Sequence, residues 1–193
     1  MKKLEDMITK KGCVRPGDIL KVDMFLNHQI DPQLMEEAGK EFYRLFCGEE
    51  ITKVLTVEAS GIAIALATAK AFGVPMVFAK KKQTKNIDPD VYAADVYSYT
   101  HGVTNSICVS RDYLKEGDRV LIVDDFLANG EAMRGMISLC EQAGAEVAGC
   151  GSVIEKGFQP GGRELRERGY RVESLAIVDS MNGDTGEISF RKQ

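Results

Sequence analysis

The run Val120-Leu121-Ile122-Val123, followed at once by Asp124-Asp125, sets the strongest limit on how this chain folds. Four consecutive apolar residues, three of them β-branched, leave a strand no polar face, so it must be covered on both sides, as in a parallel sheet between helices. Apolar residues then recur at 133, 136, 137, 140 and 143, which is helical spacing, and Gly144 is placed to end that helix. The same alternation surrounds this unit. Residues 53–57 read as a buried strand, 62–72 as an Ala-rich helix closed by Gly73, and 74–79 as the next strand. Residues 147–154 and 171–179 read as further strands, with a short charged helix at 160–169 between them. The fold expected is α/β, a mainly parallel central sheet flanked by helices.

The remaining segments are less regular. Residues 1–12 suit a short amphipathic helix stopped by Gly12, and residues 18–27 a strand or irregular extended segment. Asp31 as N-cap and Pro32 at the first helical position start a helix that runs to about Cys47. Residues 80–90 form a lysine-rich polar loop, and 91–100 with 105–110 read as a hairpin that joins or projects from the sheet. With 193 residues the chain fits one domain, with room for a small subdomain.

The two acids stand at the carboxyl end of a buried strand, where an open parallel sheet binds its ligands. The expectation is that the strand stops there and a loop begins. The segment Ala128-Asn129-Gly130-Glu131-Ala132 then leads into a helix, whose free N–H groups and positive dipole end suit a phosphate. Carboxylates beside a phosphate cradle fit a ribose 5-phosphate, with Asp124 and Asp125 on the sugar hydroxyls. A solvated Asp and Asn-Gly turn is the plain alternative. Glu58-Ala59-Ser60-Gly61 repeats the pattern of strand, small turn and helix, and is a second candidate anion turn; the plain alternative makes Ser60 an N-cap. There is neither a Walker A lysine nor a G-x-G-x-x-G.

Other chemistry is excluded or weakly marked. The five cysteines (13, 47, 108, 140, 150) are odd in number and lack C-x-x-C spacing, which indicates reduced, mostly buried thiols rather than disulfides or zinc. His28 and His101 fall in no nucleophile or metal pattern. A net charge of −4 without a basic stripe argues against nucleic acid as a partner. The charged start MKKLEDMITKKG is no secretory leader, and no apolar run is long enough for a bilayer, so a cytoplasmic protein is expected.

The segment VLIVDDFLANG (120–130) resembles the phosphoribosyl pyrophosphate (PRPP) motif of the type I phosphoribosyltransferases. Many members carry threonines in the loop where this chain has Ala-Asn-Gly-Glu-Ala, leaving backbone amides to supply more of the donors. Glu131 is an awkward neighbour for a phosphate, and its side chain is expected to point away. LKVDMFLNHQIDP (20–32), VEASGIAIA (57–65), VPMVFAKK (74–81) and VIEKGFQPGG (153–162) extend the resemblance over essentially the whole chain, toward members that use xanthine.

The resemblance implies a type I phosphoribosyltransferase fold over residues 1–193, with a small hood built largely from about 13–30 plus C-terminal contributions, and a mobile flap at 80–90. It implies an enzyme of purine salvage taking xanthine and PRPP. Asp124 and Asp125 would be catalytic. Residues 128–132, Glu58, Ala59, Ser60, Gly61 and Lys81 would bind PRPP. Leu20, Asn27 and Lys156 would bind the base, with Lys156 just beyond its strand and Phe158 able to stack. Mg2+ would ride on the substrate with no direct protein ligand, and the protein would be a homodimer. Guanine, hypoxanthine and adenine stay open as bases. So does a non-catalytic PRPP sensor, although 12 residues before Cys13 are too few for a DNA-binding domain.

Overall fold

A computed structural model of the chain describes residues 1–82, 90–98 and 103–192. The N-terminal helix α1 (Lys2–Lys11) buries Leu4 and Ile8 one turn apart and leads into a small antiparallel pair, β1 (Cys13–Arg15) and β2 (Ile19–Lys21). A single π-helical turn, Asp23–Asn27, follows. Helix α2 (Pro32–Phe46) starts as its residues dictate: the Asp31 carboxylate accepts from the amides of Gln33 and Leu34, 3.0 and 3.1 Å away, with proline at the first position.

The main body alternates β3 (Lys53–Val57), α3 (Gly61–Phe72), β4 (Met76–Lys82), the hairpin β5 (Val91–Ser98) and β6 (Val103–Ser110), then β7 (Arg119–Leu127), α4 (Glu131–Ala143), β8 (Glu146–Lys156), α5 (Gly161–Glu167), β9 (Val172–Met181) and β10 (Ile188–Phe190). The eight-stranded sheet has the order β10-β9-β8-β7-β3-β4-β6-β5. Its five central strands are parallel, while β10 and the β5–β6 hairpin add antiparallel edges. From β3 the chain moves outward to β4; from β7 it moves the other way, to β8 and β9. The order therefore reverses between β3 and β7, and the connections β3–α3 and β7–α4 leave the same sheet edge on either side of that point.

Each apolar strand serves two cores. Leu121 and Val123 face the cluster built with Phe25, Phe42 and Ile64, whereas Val120 and Ile122 face the one built with Met133, Met136 and Leu165. Helix α2 lies directly on β8, where Gly149 and Gly151 make room: a Cβ at either would stand 2.4 Å from the Phe46 ring or 2.8 Å from the Phe42 ring. At Gly183, a Cβ would meet the backbone of Arg15 and Pro16, so the turn after β9 packs on the β1–β2 pair.

Several boundaries differ from the sequence reading. Strand β7 does not stop before the acids; it continues through Asp124 and Asp125 to Leu127, because β8 runs on beside it and pairs Phe126 with Ile154 and Leu127 with Glu155. For the same reason Lys156 ends β8 rather than following it. Residues 18–27 divide between β2 and the π turn. Residues 80–82 belong to β4, and the rest of the lysine-rich stretch, including Lys85, falls in 83–89, outside the described residues; His101 does as well. Cys108, Cys140 and Cys150 are buried, Cys13 and Cys47 exposed; burial raises the Cys140 and Cys150 thiols to about 12.

Candidate active site

A cleft of about 310 Å³ opens at the point where the strand order reverses. Asp124 and Asp125 form its floor, Glu58, Ser60 and Lys81 one side, and the turn Ala128–Ala132 the other. Val96, Tyr97, Asn105 and Ile107 close it from the β5–β6 hairpin, a contribution that no local sequence pattern signals.

The two floor carboxylates are only 5% and 7% exposed. Oδ1 of Asp124 accepts from the Asp125 amide at 3.0 Å. Burial, and then the neighbouring charge of Asp125, push the Asp124 carboxyl well above the usual range; Lys81 acts weakly the other way. Such a pair is poised to take up a cation or a ring of hydroxyl donors.

The turn after β3 is tied to β4. The Glu58 amide donates to Ala79 O at 3.0 Å, and the Glu58 carboxylate accepts from the Lys81 amide at 2.6 Å. The Glu58–Ala59 peptide is cis. Ser60 occupies the N-cap position of α3 but makes no capping bond, so the simple N-cap role does not hold; its residue lines the cleft instead. Gly61 is tightly enclosed, since a Cβ there would stand 2.1 Å from Thr56 Oγ1 and 2.8 Å from Asp124 Oδ1.

The turn after β7 is built on Gly130, whose φ of +85° is left-handed, and α4 begins without a side-chain cap. Its first amides are thus available to an anion. Gly161 of α5 supports the turn from behind: its amide donates to Ala128 O at 3.1 Å, and a Cβ there would stand 2.4 Å from that oxygen. Glu131 lines the cleft with its carboxylate bonded to Arg134 at 2.6 Å.

Of the three residues expected at a base, Asn27 alone has a contact with the acids among the described residues, and none of the three lines the cleft itself. Asn27 ends the π turn and donates its amide to Asp125 Oδ2 at 3.5 Å, while its Oδ1 is buried without a partner among the described residues. Leu20, on β2, is buried. Lys156 donates to Asp18 O at 2.8 Å and stands 5.9 Å from the centre of the Phe126 ring. Burial lowers its pKa, with Asp18 partly compensating. Phe126, which lines the cleft, follows the acids where the sequence reading expected only a loop; Phe158 is 39% exposed. Next to Lys156, the buried Glu155 accepts both guanidinium nitrogens of Arg166 at 2.8 Å and the Ser174 hydroxyl at 2.5 Å. Burial alone would raise the Glu155 carboxyl, but these donors outweigh it and hold the carboxyl below its ordinary value.

Comparison with known proteins places the geometry in context. Residues 21–185 match the phosphoribosyl transferase domain family. The chain is 55% identical over 192 residues to the xanthine phosphoribosyltransferase of Bifidobacterium longum subsp. infantis, covering 99% of this chain and 100% of that one. It is 56% identical over 191 residues to the protein of the same name from Lachnoclostridium phytofermentans (99% and 98% covered), and 54% identical over 193 residues to that of Bacillus cereus (100% and 97%). Among solved structures, adenine phosphoribosyltransferase from Rhodothermus marinus superposes with a TM-score of 0.73 at 25% identity, covering 92% of this chain and 99% of that one. The Giardia lamblia enzyme complexed with 9-deazaadenine gives 0.74 at 23% identity, covering 90% and 96%, a likeness of fold.

Proposed function

The chain belongs to the phosphoribosyl transferase family, and we propose that it moves the 5-phosphoribosyl group of PRPP to N9 of xanthine, giving xanthosine 5'-monophosphate (XMP) and pyrophosphate in purine salvage. The observation that carries this reading is identity of 54–56% over nearly the full length to xanthine phosphoribosyltransferases of three genera. The cleft supports it independently, because one buried acid pair lies between two turns that each open a helix.

In this reading the amides of residues 128–132 hold the 5-phosphate, and Asp124 and Asp125 hold the ribose hydroxyls. Residues 58–61 and Lys81 face the pyrophosphate. Leu20, Asn27 and Lys156 hold the base, the lysine donating to the 6-oxo oxygen, with Phe126 beneath. N9 gives its electron pair to the anomeric carbon as the bond to the pyrophosphate oxygen breaks, and the proton of N9 leaves to solvent. Positive charge that develops on the ribose meets the two floor carboxylates, a fixed interaction that costs no reorganisation at the moment of reaction. Residues 13–30 read as the hood over the base.

Among the described residues no three His, Cys, Asp or Glu stand together as a metal-holding group. A Mg2+ would ride on substrate oxygens and water with no direct protein ligand, and the acid pair Asp124 and Asp125 are the residues whose charge fits them to face it. Bound there, Mg2+ supplies positive charge that neutralises the leaving pyrophosphate. A homodimer in the cytoplasm, with neither nucleic acid nor membrane as partner, belongs to the same reading; no described helix is long and apolar enough to cross a membrane.

The test is product formation from PRPP and each of xanthine, guanine, hypoxanthine and adenine, followed by chromatography. XMP formed with the highest kcat/KM of the four products supports the reading. PRPP binding without any nucleotide product would replace it with a sensor, and a better rate with guanine would move the specificity.

A further inference from the structure

The phosphate turn carries a carboxylate, Glu131, at the mouth of the cleft where a phosphate dianion is to be held. Left ionised and unpaired, it would repel that ligand. Arg134 lies one helical turn on, and its side chain folds back toward the start of α4, the direction helical side chains prefer. One guanidinium nitrogen donates to Glu131 Oε1 at 2.6 Å and to Asn129 O at 2.8 Å; the other reaches Glu164 of α5 at 3.1 Å. The guanidinium lies so close to the turn that a Cβ on Gly130 would stand 3.0 Å from Nη1. The side chains of Arg134 and Glu131 are 26% and 28% exposed, so water screens this pair only in part. The bond to Asn129 O also engages one carbonyl oxygen of the turn with a cation.

We propose that Arg134 is a positioning residue for the sugar phosphate: by neutralising Glu131 and fixing Asn129 O it converts a turn poor in hydroxyls into an anion site. This rests on the PRPP reading of the turn. It accounts for how Ala-Asn-Gly-Glu-Ala holds a phosphate without the threonines found in many relatives of the fold. The larger, electrostatic part of the requirement for Arg134 is created by Glu131 and disappears with it; the bond to Asn129 O is the smaller part.

Calorimetric titration of the full chain with ribose 5-phosphate tests this without any turnover. Arg134→Gln is expected to weaken binding by about tenfold or more, the scale of one charge-assisted contact. Arg134→Lys, which keeps the charge, and the double variant Arg134→Gln/Glu131→Gln are both expected within about threefold of the parent, since neither leaves an unpaired carboxylate on the turn itself; Glu164, which the double variant does leave without Arg134, sits on α5. The gap between the parent and Arg134→Gln should narrow as KCl rises from about 0.05 to about 0.5 M, as charge repulsion is screened. Unchanged affinity in Arg134→Gln, or a double variant as weak as the single one, overturns the assignment. So does a parent that does not bind ribose 5-phosphate. XMP formation by the parent, measured in parallel, keeps the two readings apart. Binding with rescue but no XMP rejects the reaction and leaves Arg134 in place; normal XMP with no effect of Arg134→Gln does the reverse.

Discussion

Asn27 donates its side-chain amide to the Asp125 carboxylate across 3.5 Å, joining the π turn of the N-terminal segment to the floor of the cleft 98 residues later. The same side chain keeps a buried acceptor, Oδ1, without a partner among the described residues. A buried unpaired oxygen is costly, and a purine N–H is the kind of group that would satisfy it. Asn27→Ala should therefore raise the KM for xanthine by roughly tenfold, the value of one lost hydrogen bond, with a smaller effect on that for PRPP. Asn27→Asp should be worse in both kcat and KM, because it sets a third carboxylate against Asp125. Equal KM values for the parent and Asn27→Ala would remove Asn27 from the base site.

Asp124 works against the free protein. Its carboxyl is held well above the ordinary range by burial and by Asp125, so the folded chain retains a proton that the unfolded chain gives up. The penalty is absent at acid pH, grows as pH rises from the ordinary carboxylate range to the folded value, and is full above it. Asp124→Asn should raise the melting temperature at neutral pH by roughly 2–4 °C, corresponding to about 1 kcal/mol in a chain of this size, and should give no gain near pH 3. Turnover should fall by roughly 100–1000-fold, the usual effect of removing one preorganised electrostatic contact. Asp125→Ala should lose turnover on the same scale with the fold intact. Near-normal kcat in either variant would remove the pair from the chemistry.

Gly161 has no room for a methyl group, since its Cβ would stand 2.4 Å from Ala128 O and 2.5 Å from Gly130 N. Gly161→Ala must push the phosphate turn into the cleft or α5 away from it. Overpacking of this kind costs roughly 1–3 kcal/mol. The expected result is a PRPP KM raised by about tenfold, the kinetic equivalent of about 1.4 kcal/mol, with a smaller change for the base. Unchanged kinetics would mean that α5 gives way and the turn does not depend on it.

The pair Glu155–Arg166 should be visible as a pH-dependent part of stability. Glu155 is 3% exposed but Arg166 is 37% exposed, so Glu155→Gln should cost about 2 kcal/mol, less than a fully buried pair. Its folded carboxyl lies below the ordinary value, so the stabilisation is present above the unfolded pKa and is lost as pH falls through the folded one. Denaturation curves of parent and variant should differ at pH 7 and converge under acid conditions. A difference that persisted at pH about 2, below the range of most carboxylates, would assign the loss to packing instead.

Much of the architecture was legible because its signals are local. The four apolar residues before Asp124 specify a doubly covered strand, and Asp31-Pro32 specifies the start of α2 in both cap and first turn. The continuation of β7 through the acids was not legible, since aspartate is disfavoured in strands and only the partner β8 carries the pairing that far. Strands β1 and β10, at three residues each, are too short to show a period. The acid pair and both turns could be read from spacing alone. The contacts that complete the site could not: Asn27 to Asp125, Arg134 to Glu164 and Gly161 to Ala128 join elements far apart in the chain, and no local pattern encodes them. Arg134 to Glu131 is the exception, because opposite charges three residues apart on a helix are neighbours by its geometry alone.

The short connection from Lys156 to Gly161 runs behind the cleft, from Phe126 to the turn Ala128–Ala132. Lys156 stands over Phe126, on the side proposed for the base, and Gly161 bears on the turn proposed to face the sugar phosphate. In the proposed reading, six residues of backbone, held at Glu155 by Arg166, join the two substrate sites. A shift of this connection on the arrival of one substrate would change the free energy with which the other binds. Thermodynamic reciprocity makes that change equal in both directions, whichever substrate enters first.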